Sequence, residues 1–245
     1  MSWRIFGVAL VALLVVSGCG TARARPVTPV SGLVLAVRTE GGLAPSPMPV
    51  RVPDVVLYGD GRIIESDRYR PVSARVAWTT RAYLERIVQR AYDLGLDRAR
   101  RMPGHEQVMD GTTTSLVFGH DGRRSATVVG PMADDRLMAF AADLSLDRIP
   151  RRDLRAAPRT YRPAQVAVLA QPAPGRPDDM RRWPLRAPER MPALGDTSCA
   201  TYDADQATKI LGTRPYWLIG DHPVRLTAVP PLPGEHGCAD LPRRP

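Results

Sequence analysis

Every histidine in this chain stands beside a carboxylate, as His105-Glu106, His120-Asp121, Asp221-His222 and Glu235-His236. Such pairs could do two kinds of chemistry. An imidazole next to an acid can move a proton near neutral pH, and two pairs brought together could hold zinc. Their spacings match no metal motif, however, and most fall in expected loop tips, where polar residues collect. A hydrolase built from these groups would need at least two of His105, His120, His222, Asp110 and Asp221 to converge within hydrogen-bond reach in one cleft. No Gly-x-Ser-x-Gly elbow, Ser-x-x-Lys, His-Glu-x-x-His, phosphate loop or calcium loop occurs. Asp134 and Asp135 look like paired carboxylates, but they open an expected helix, where acids favour the macrodipole. Thr112, Thr113 and Thr114 read as a polar strand entrance rather than a cluster of nucleophiles.

The cysteines carry a clearer message. Cys19 follows Val16-Ser17-Gly18, which closes an apolar run from Ile5 to Val16 preceded by Arg4. A positive start, a short apolar stretch and a small-residue site make a secretory signal too short to remain as a membrane span. With Cys directly after the small pair, the pattern resembles the bacterial lipobox. That resemblance implies cleavage after Gly18, lipidation of the Cys19 sulfur by a diacylglyceryl group, and palmitate-type chains holding the protein to the membrane. Two acyl chains, at about 0.8 kcal/mol per buried CH₂, anchor durably where one would be marginal. Cys199 and Cys238 then remain as an even pair in an exported chain, where disulfides persist. Closing their loop of about 40 residues would stabilise the fold by roughly 4 kcal/mol in the chain-entropy model.

Charge narrows the partners. The net charge of +9 is almost all arginine, since Lys209 is the sole lysine, a bias that reads first as GC-rich coding. On a membrane-tethered, extracytoplasmic protein this charge favours anionic headgroups or acidic wall polymers over nucleic acid, which is scarce outside the cell. The basic residues are dispersed, with no block that would serve as a nucleic-acid arm. A hydrophobic content of 44% allows a real core, whereas an aromatic content of 6% argues against a broad stacking surface.

The elements that must position these groups follow from periodicity. Leu33, Leu35 and Val37 alternate with Val34, Ala36 and Arg38 in a first strand that ends at Gly41-Gly42. Val55 to Tyr58 and Arg62 to Glu65 flank Gly59-Asp60-Gly61, a hairpin signal in which Asp60 has a turn role. Leu84, Ile87, Val88 and Ala91 mark an amphipathic helix between Thr80 and Leu94, with Gly95 beyond its end. Ser115 to Arg123 repeats the apolar-aromatic-Gly-Asp-Gly-Arg plan with one inserted residue, Ala126 to Val129 returns, and Leu137, Phe140, Ala141 and Leu144 mark a second helix. Gln165 to Ala170 reads as a strand closing this sheet. A short helix from Asp203 to Leu211 and strands at Tyr216 to Ile219 and Val224 to Val229 complete the chain.

The expected fold is therefore α+β: an antiparallel sheet built from two strand-strand-helix units with both helices on one face, and a disulfide-clasped C-terminal subdomain. The expected organisation is a signal over 1–18, a tether over 19–31, a main domain over 32–170, a Pro/Arg-rich crossing over 171–198 pinned by Trp183, and the clasped piece over 199–245.

Three stretches stand out together: Pro53 to Ile64 with its Leu57-Tyr58-Gly59-Asp60-Gly61-Arg62 core, Trp183-Pro184-Leu185, and Pro230 to Cys238. They resemble a family of uncharacterised lipoproteins of high-GC Gram-positive (actinobacterial) bacteria. The resemblance implies an extracytoplasmic lipoprotein in a monoderm or mycolate envelope and brings no activity with it. The leading expectation is a non-enzymatic binding or envelope-assembly module that takes an envelope protein or anionic wall polymer, with no cofactor and no metal. A wall-directed hydrolase using loop His/Asp residues and a lipid carrier are the alternatives.

Overall fold

The computed structural model describes residues 32–41, 52–66, 74–104, 111–120, 122–173, 175, 180–192, 195–212 and 216–241. Cys19, the expected signal and tether, His105, Glu106, Asp110 and Asp121 lie outside the described residues. The chain is mixed α/β and mostly sheet, with two sheets and three helices.

The first sheet takes β1 (Leu33–Gly41), β2 (Val55–Tyr58), β3 (Arg62–Ser66), β4 (Ala74–Trp78), β5 (Arg100–Met102), β6 (Thr112–His120), β7 (Arg123–Val129) and β8 (Arg159–Thr160). Its order is β5-β7-β6-β1-β2-β3-β4-β8. Between its strands run α1 (Arg81–Asp93) and α2 (Asp135–Asp143). The second sheet takes β9 (Gln165–Pro172), β10 (Arg181–Arg182), β11 (Glu189–Arg190), β12 (Ser198–Asp203), β13 (Tyr216–Ile219) and β14 (His222–Val229), in the order β10-β13-β14-β9-β12-β11. α3 (Ala204–Leu211) follows β12 directly.

Local chemistry explains the helix ends. Thr80 caps α1 by accepting from the Tyr83 amide, and Asp134 caps α2 by accepting from the Arg136 and Leu137 amides. Asp203 does the same for α3 through the Gln206 amide, and Gly212 ends that helix with φ +47°.

Four layers result. Leu35, Val37, Leu57, Ile63, Leu116 and Phe118 of the first sheet pack against Leu84, Ile87, Leu137 and Phe140 of the two helices. The opposite face offers Ala36, Val56, Tyr58, Ile64 and Val76 to Ala167, Leu169, Cys199 and Val229 of the second sheet. The outer face of that second sheet, with Val168, Ala200, Leu226 and Trp217, is covered by Ala207 and Leu211 of α3 and by Trp183. Trp183 thus pins the proline-rich crossing, and its indole Nε1 donates to Tyr202 Oη at 3.2 Å.

The observed architecture corrects the expected one at several points. There are two sheets rather than one sheet with an appended piece, because the first sheet is apolar on both faces. Helices cover only one of them. Neither sheet is purely antiparallel: β5 lies parallel to β7, and β10 parallel to β13. β5 and β7 flank the reversal made by β6 and so run the same way. The simple strand-strand-helix repeat is broken by β4, which pairs with β3 before α1 begins. β9 does not close the first sheet; it lies between β14 and β12 in the second. The first sheet ends instead at the two-residue β8 beside β4.

Among the described residues no helix is long and apolar enough to cross a membrane. Cys199 and Cys238 form a disulfide with their Cα atoms 5.9 Å apart.

Candidate functional site

The hairpin turn and the C-terminal turn, far apart in sequence, meet at one end of the sandwich. In the hairpin, Asp60 Oδ1 accepts from the Arg62 amide and Oδ2 from Arg62 Nη2, both at 2.9 Å. Gly61 takes φ +85°, and a side chain there would meet the Thr79 carbonyl oxygen at 2.8 Å. The turn role expected of Asp60 is what these bonds describe.

The C-terminal turn is held by a different set of contacts. Leu232 and Leu241 are buried in the layer between the sheets. The disulfide ties Cys238 to β12, and Thr201 Oγ1 accepts from the Cys238 amide at 3.2 Å. Glu235 Oε2 accepts from the Leu232 amide and Asp240 Oδ2 from the His236 amide, each at 2.7 Å. Tyr161 Oη donates to the Pro231 carbonyl at 2.9 Å, so the segment after β8 is fastened to the same turn.

Between the two turns lies a hollow of about 570 Å³ lined by Tyr58, Asp60, Arg62, Arg124, Leu232 and Glu235, among others. A second hollow, of about 680 Å³, is lined by Arg62, Val76, Trp78, Arg159, Tyr161 and Arg162. Arg62 belongs to both and joins them.

Strand register sets the second hollow. Arg62 on β3 pairs with Trp78 on β4, and Val76, two residues earlier on β4, pairs with Arg159 on β8. Alternation places Trp78 and Val76 on the same face as Tyr58, the face turned toward the second sheet. The Arg62 guanidinium carbon stands 5.4 Å from the Tyr58 ring centre, and that of Arg159 stands 4.9 Å from the Trp78 ring centre. Two arginines and two aromatic rings therefore alternate across β2, β3, β4 and β8. A guanidinium over a ring can still donate from its N–H edge to an oxyanion; Arg62 already gives one such bond to Asp60, whereas Arg159 makes no ion pair among the described residues. Among the described residues, neither Arg159 nor Arg162 has a carboxylate within ion-pair distance, and no carboxylate lines this hollow.

The histidines are distributed differently. His120 ends β6, stacked on Phe118 at 5.4 Å between ring centres, with Tyr92 of α1 edge-on to it. His222 opens β14 in the second sheet and lines a separate hollow with Pro172, Pro188 and Val224. Asp221 is nearly fully exposed, 3.7 Å from Arg182. His120 and the Asp221-His222 pair therefore sit in different sheets. Among the described residues no group of three His, Cys, Asp or Glu side chains could hold a metal ion.

Other ionisable groups are structural. Arg75 bridges Glu65 at 2.5 Å and Asp147 at 2.8 Å, and this hydrogen bond and charge hold the Asp147 carboxyl below its usual pKa. Burial, reinforced by the charge of Asp153, pushes the Tyr83 hydroxyl up to about 12. Trp78, Arg159 and Arg162 were not singled out from the sequence. The signal that could have found the two arginines was the run of arginines at 151, 152, 155, 159 and 162, interrupted by the single acid Asp153.

Two of the three stretches that carry the lipoprotein resemblance thus line one hollow, while the third, at Trp183, packs beyond the second sheet. No protein-family model, no curated protein and no solved structure matches the chain.

Proposed function

We propose that this chain is a lipoprotein anchored through Cys19 to the outer face of the cell membrane. Its described domain stands outside the cytoplasm and acts as a non-enzymatic binding module for an envelope component, an anionic wall polymer above all. The observation that carries this reading is the pair of joined hollows walled by Tyr58, Arg62, Trp78, Arg159 and the disulfide-held C-terminal turn. A covalent clasp that fixes one wall of an open, arginine-lined cleft suits an oxidising compartment and a surface built to hold something. Binding is favoured over a lipid carrier because the space between the sheets is filled by Val56, Ile64, Leu169 and Val229.

Two measurements test it in the native host. Feeding an alkyne-tagged fatty acid should label the wild-type protein and leave Cys19→Ala unlabelled and released from the membrane fraction. The lipidated protein should also sediment with purified cell walls, and sediment less once their anionic polymers are stripped. Absence of label would overturn the anchor, and sedimentation indifferent to stripping would overturn the polymer.

A further inference from the structure

Resting on that binding reading, we infer that the joined hollows form a subsite pair for a polyol- or sugar-phosphate chain, with the phosphate in the second hollow and the hydroxylated unit in the first. The division follows from which groups line each. The second hollow presents the guanidiniums of Arg62, Arg159 and Arg162, and no carboxylate lines it among the described residues. Arg62 and Arg159 are oriented by the rings of Tyr58 and Trp78. Guanidinium forks match phosphate oxygens geometrically, and charge-assisted bonds of this kind are stronger than neutral ones. Arg62 is already bonded to Asp60, but Arg159 and Arg162 together still exceed what a single carboxylate can satisfy, so a carboxylate polymer would be the weaker ligand.

The first hollow is of mixed charge. Asp60, Glu235 and Asp240 line it together with Arg62 and Arg124; Asp60 is bonded to Arg62, and each acid also accepts a backbone amide of its own turn. An anion would meet repulsion there, whereas hydroxyl groups can donate to those carboxylates and accept from the arginines. Because Arg62 lines both hollows, a ligand crossing it would alternate hydroxylated unit and phosphate. Such a ligand is a chain rather than a lone ion. The rings of Tyr58 and Trp78 have arginines over them, so recognition rests on charge and hydrogen bonds more than on sugar stacking.

The test uses the full chain in zwitterionic detergent micelles, titrated calorimetrically with poly(glycerol phosphate). Arg159→Gln/Arg162→Gln should weaken binding at least ten-fold. The control Arg81→Gln/Arg136→Gln removes the same charge from the helix layer, where both residues are exposed, and should change binding less than two-fold. Raising salt from low to physiological should weaken the wild type more than the Arg159/Arg162 variant, since fewer ion contacts remain to be screened. Equal loss in both double variants would overturn the site in favour of bulk charge. Equal or tighter binding of polygalacturonate would overturn phosphate as the recognised group. Equal binding of dihexanoyl phosphatidylglycerol, with the same dependence on Arg159 and Arg162, would replace the polymer with a membrane headgroup. Failure to bind poly(glycerol phosphate) while still sedimenting with walls would overturn this inference and leave the wall-binding reading standing; failure in both would overturn the two together.

Discussion

The two faces of the first sheet differ in how their arginines are partnered by acids. On the helix-covered face, arginines are matched to acids: Arg75 to Glu65 and Asp147, Arg86 to Asp153, and Arg90 to Asp143. Arg86 and Arg90 also lie over the rings of Tyr83 and Phe140. On the opposite face, at the open end of the sandwich, Arg62 and Arg159 likewise lie over rings and Arg62 is paired with Asp60, but Arg159 and Arg162 have no acidic partner among the described residues. In the proposed reading, the contrast separates charge that holds layers together from charge available to a ligand. A uniform excess of +9 conceals this division. The division lies in what each guanidinium touches.

The sharpest way to break the comparison is to loosen the open end. Cys199→Ser/Cys238→Ser frees the C-terminal turn that walls the first hollow, and should cost roughly 4 kcal/mol by the chain-entropy estimate for a loop of this length. Urea unfolding of the wild type with and without reductant, beside the variant, measures it. A cost below about 1 kcal/mol would mean that Leu232 and Leu241 hold the turn unaided.

On the paired face, Arg86→Ala leaves the buried carboxylate of Asp153 without the guanidinium that now stands 2.7 Å away. Since Arg86 itself is half-exposed, we expect a loss of about 2 kcal/mol, below the full cost of orphaning a deeply buried charge. Chemical denaturation at neutral pH checks it. A negligible loss would show that Arg86 with its acid is no more structural than Arg159 without one.

Tyr83 sharpens the same face from another direction. Its hydroxyl is buried without a hydrogen-bond partner among the described residues, so Tyr83→Phe should leave stability at pH 7 unchanged or raise it by about 1 kcal/mol. With a folded-state pKa near 12 against an ordinary 10, the proton's stabilising contribution is complete below pH 10 and is lost as pH rises toward 12. The wild type should therefore lose about 2 to 3 kcal/mol more than Tyr83→Phe across that window, at 1.36 kcal/mol per pH unit. Parallel alkaline melting curves for the two proteins would contradict the burial of this hydroxyl.

The smallest expected effect lies on the stacked arginine. Arg159→Gln should cost less than about 1 kcal/mol, the scale of an exposed cation–π contact. A thermal midpoint shift of only a few degrees in Arg159→Gln, set beside a large one in Arg86→Ala, would complete the contrast. A loss as large as that of Arg86 would reassign Arg159 to holding the sheet edge.

Much of the fold was legible because its signals are local. The Gly59-Asp60-Gly61 turn, the apolar stripe of α1 and the acidic start of α2 depend on residues within a few positions of one another, and each lies where periodicity and capping chemistry place it. The cysteine pair was legible by parity and compartment. Less legible was the second layer of sheet. Val55-Val56-Leu57-Tyr58 is buried at every position, and Ile63-Ile64 likewise. Unbroken apolar runs mark strands covered on both faces, whereas alternation marks strands covered on one. That signal was present, but nothing local says which later segment provides the second cover. The candidate site was harder still, since Tyr58, Arg62, Trp78 and Arg159 come from four strands and are ordinary residues in each.

The sequence by itself determined the short-range facts: turns, caps, helix stripes, an even cysteine pair and a lipobox-like start. These rest on backbone preferences and neighbour chemistry that act over a few residues. The tertiary structure decided which sheet β9 joined, that the first sheet lay between helices and a second sheet, and which arginines found acids. Those outcomes depend on register and layer stacking, in which residues distant along the chain become neighbours only because both faces of a sheet must be buried.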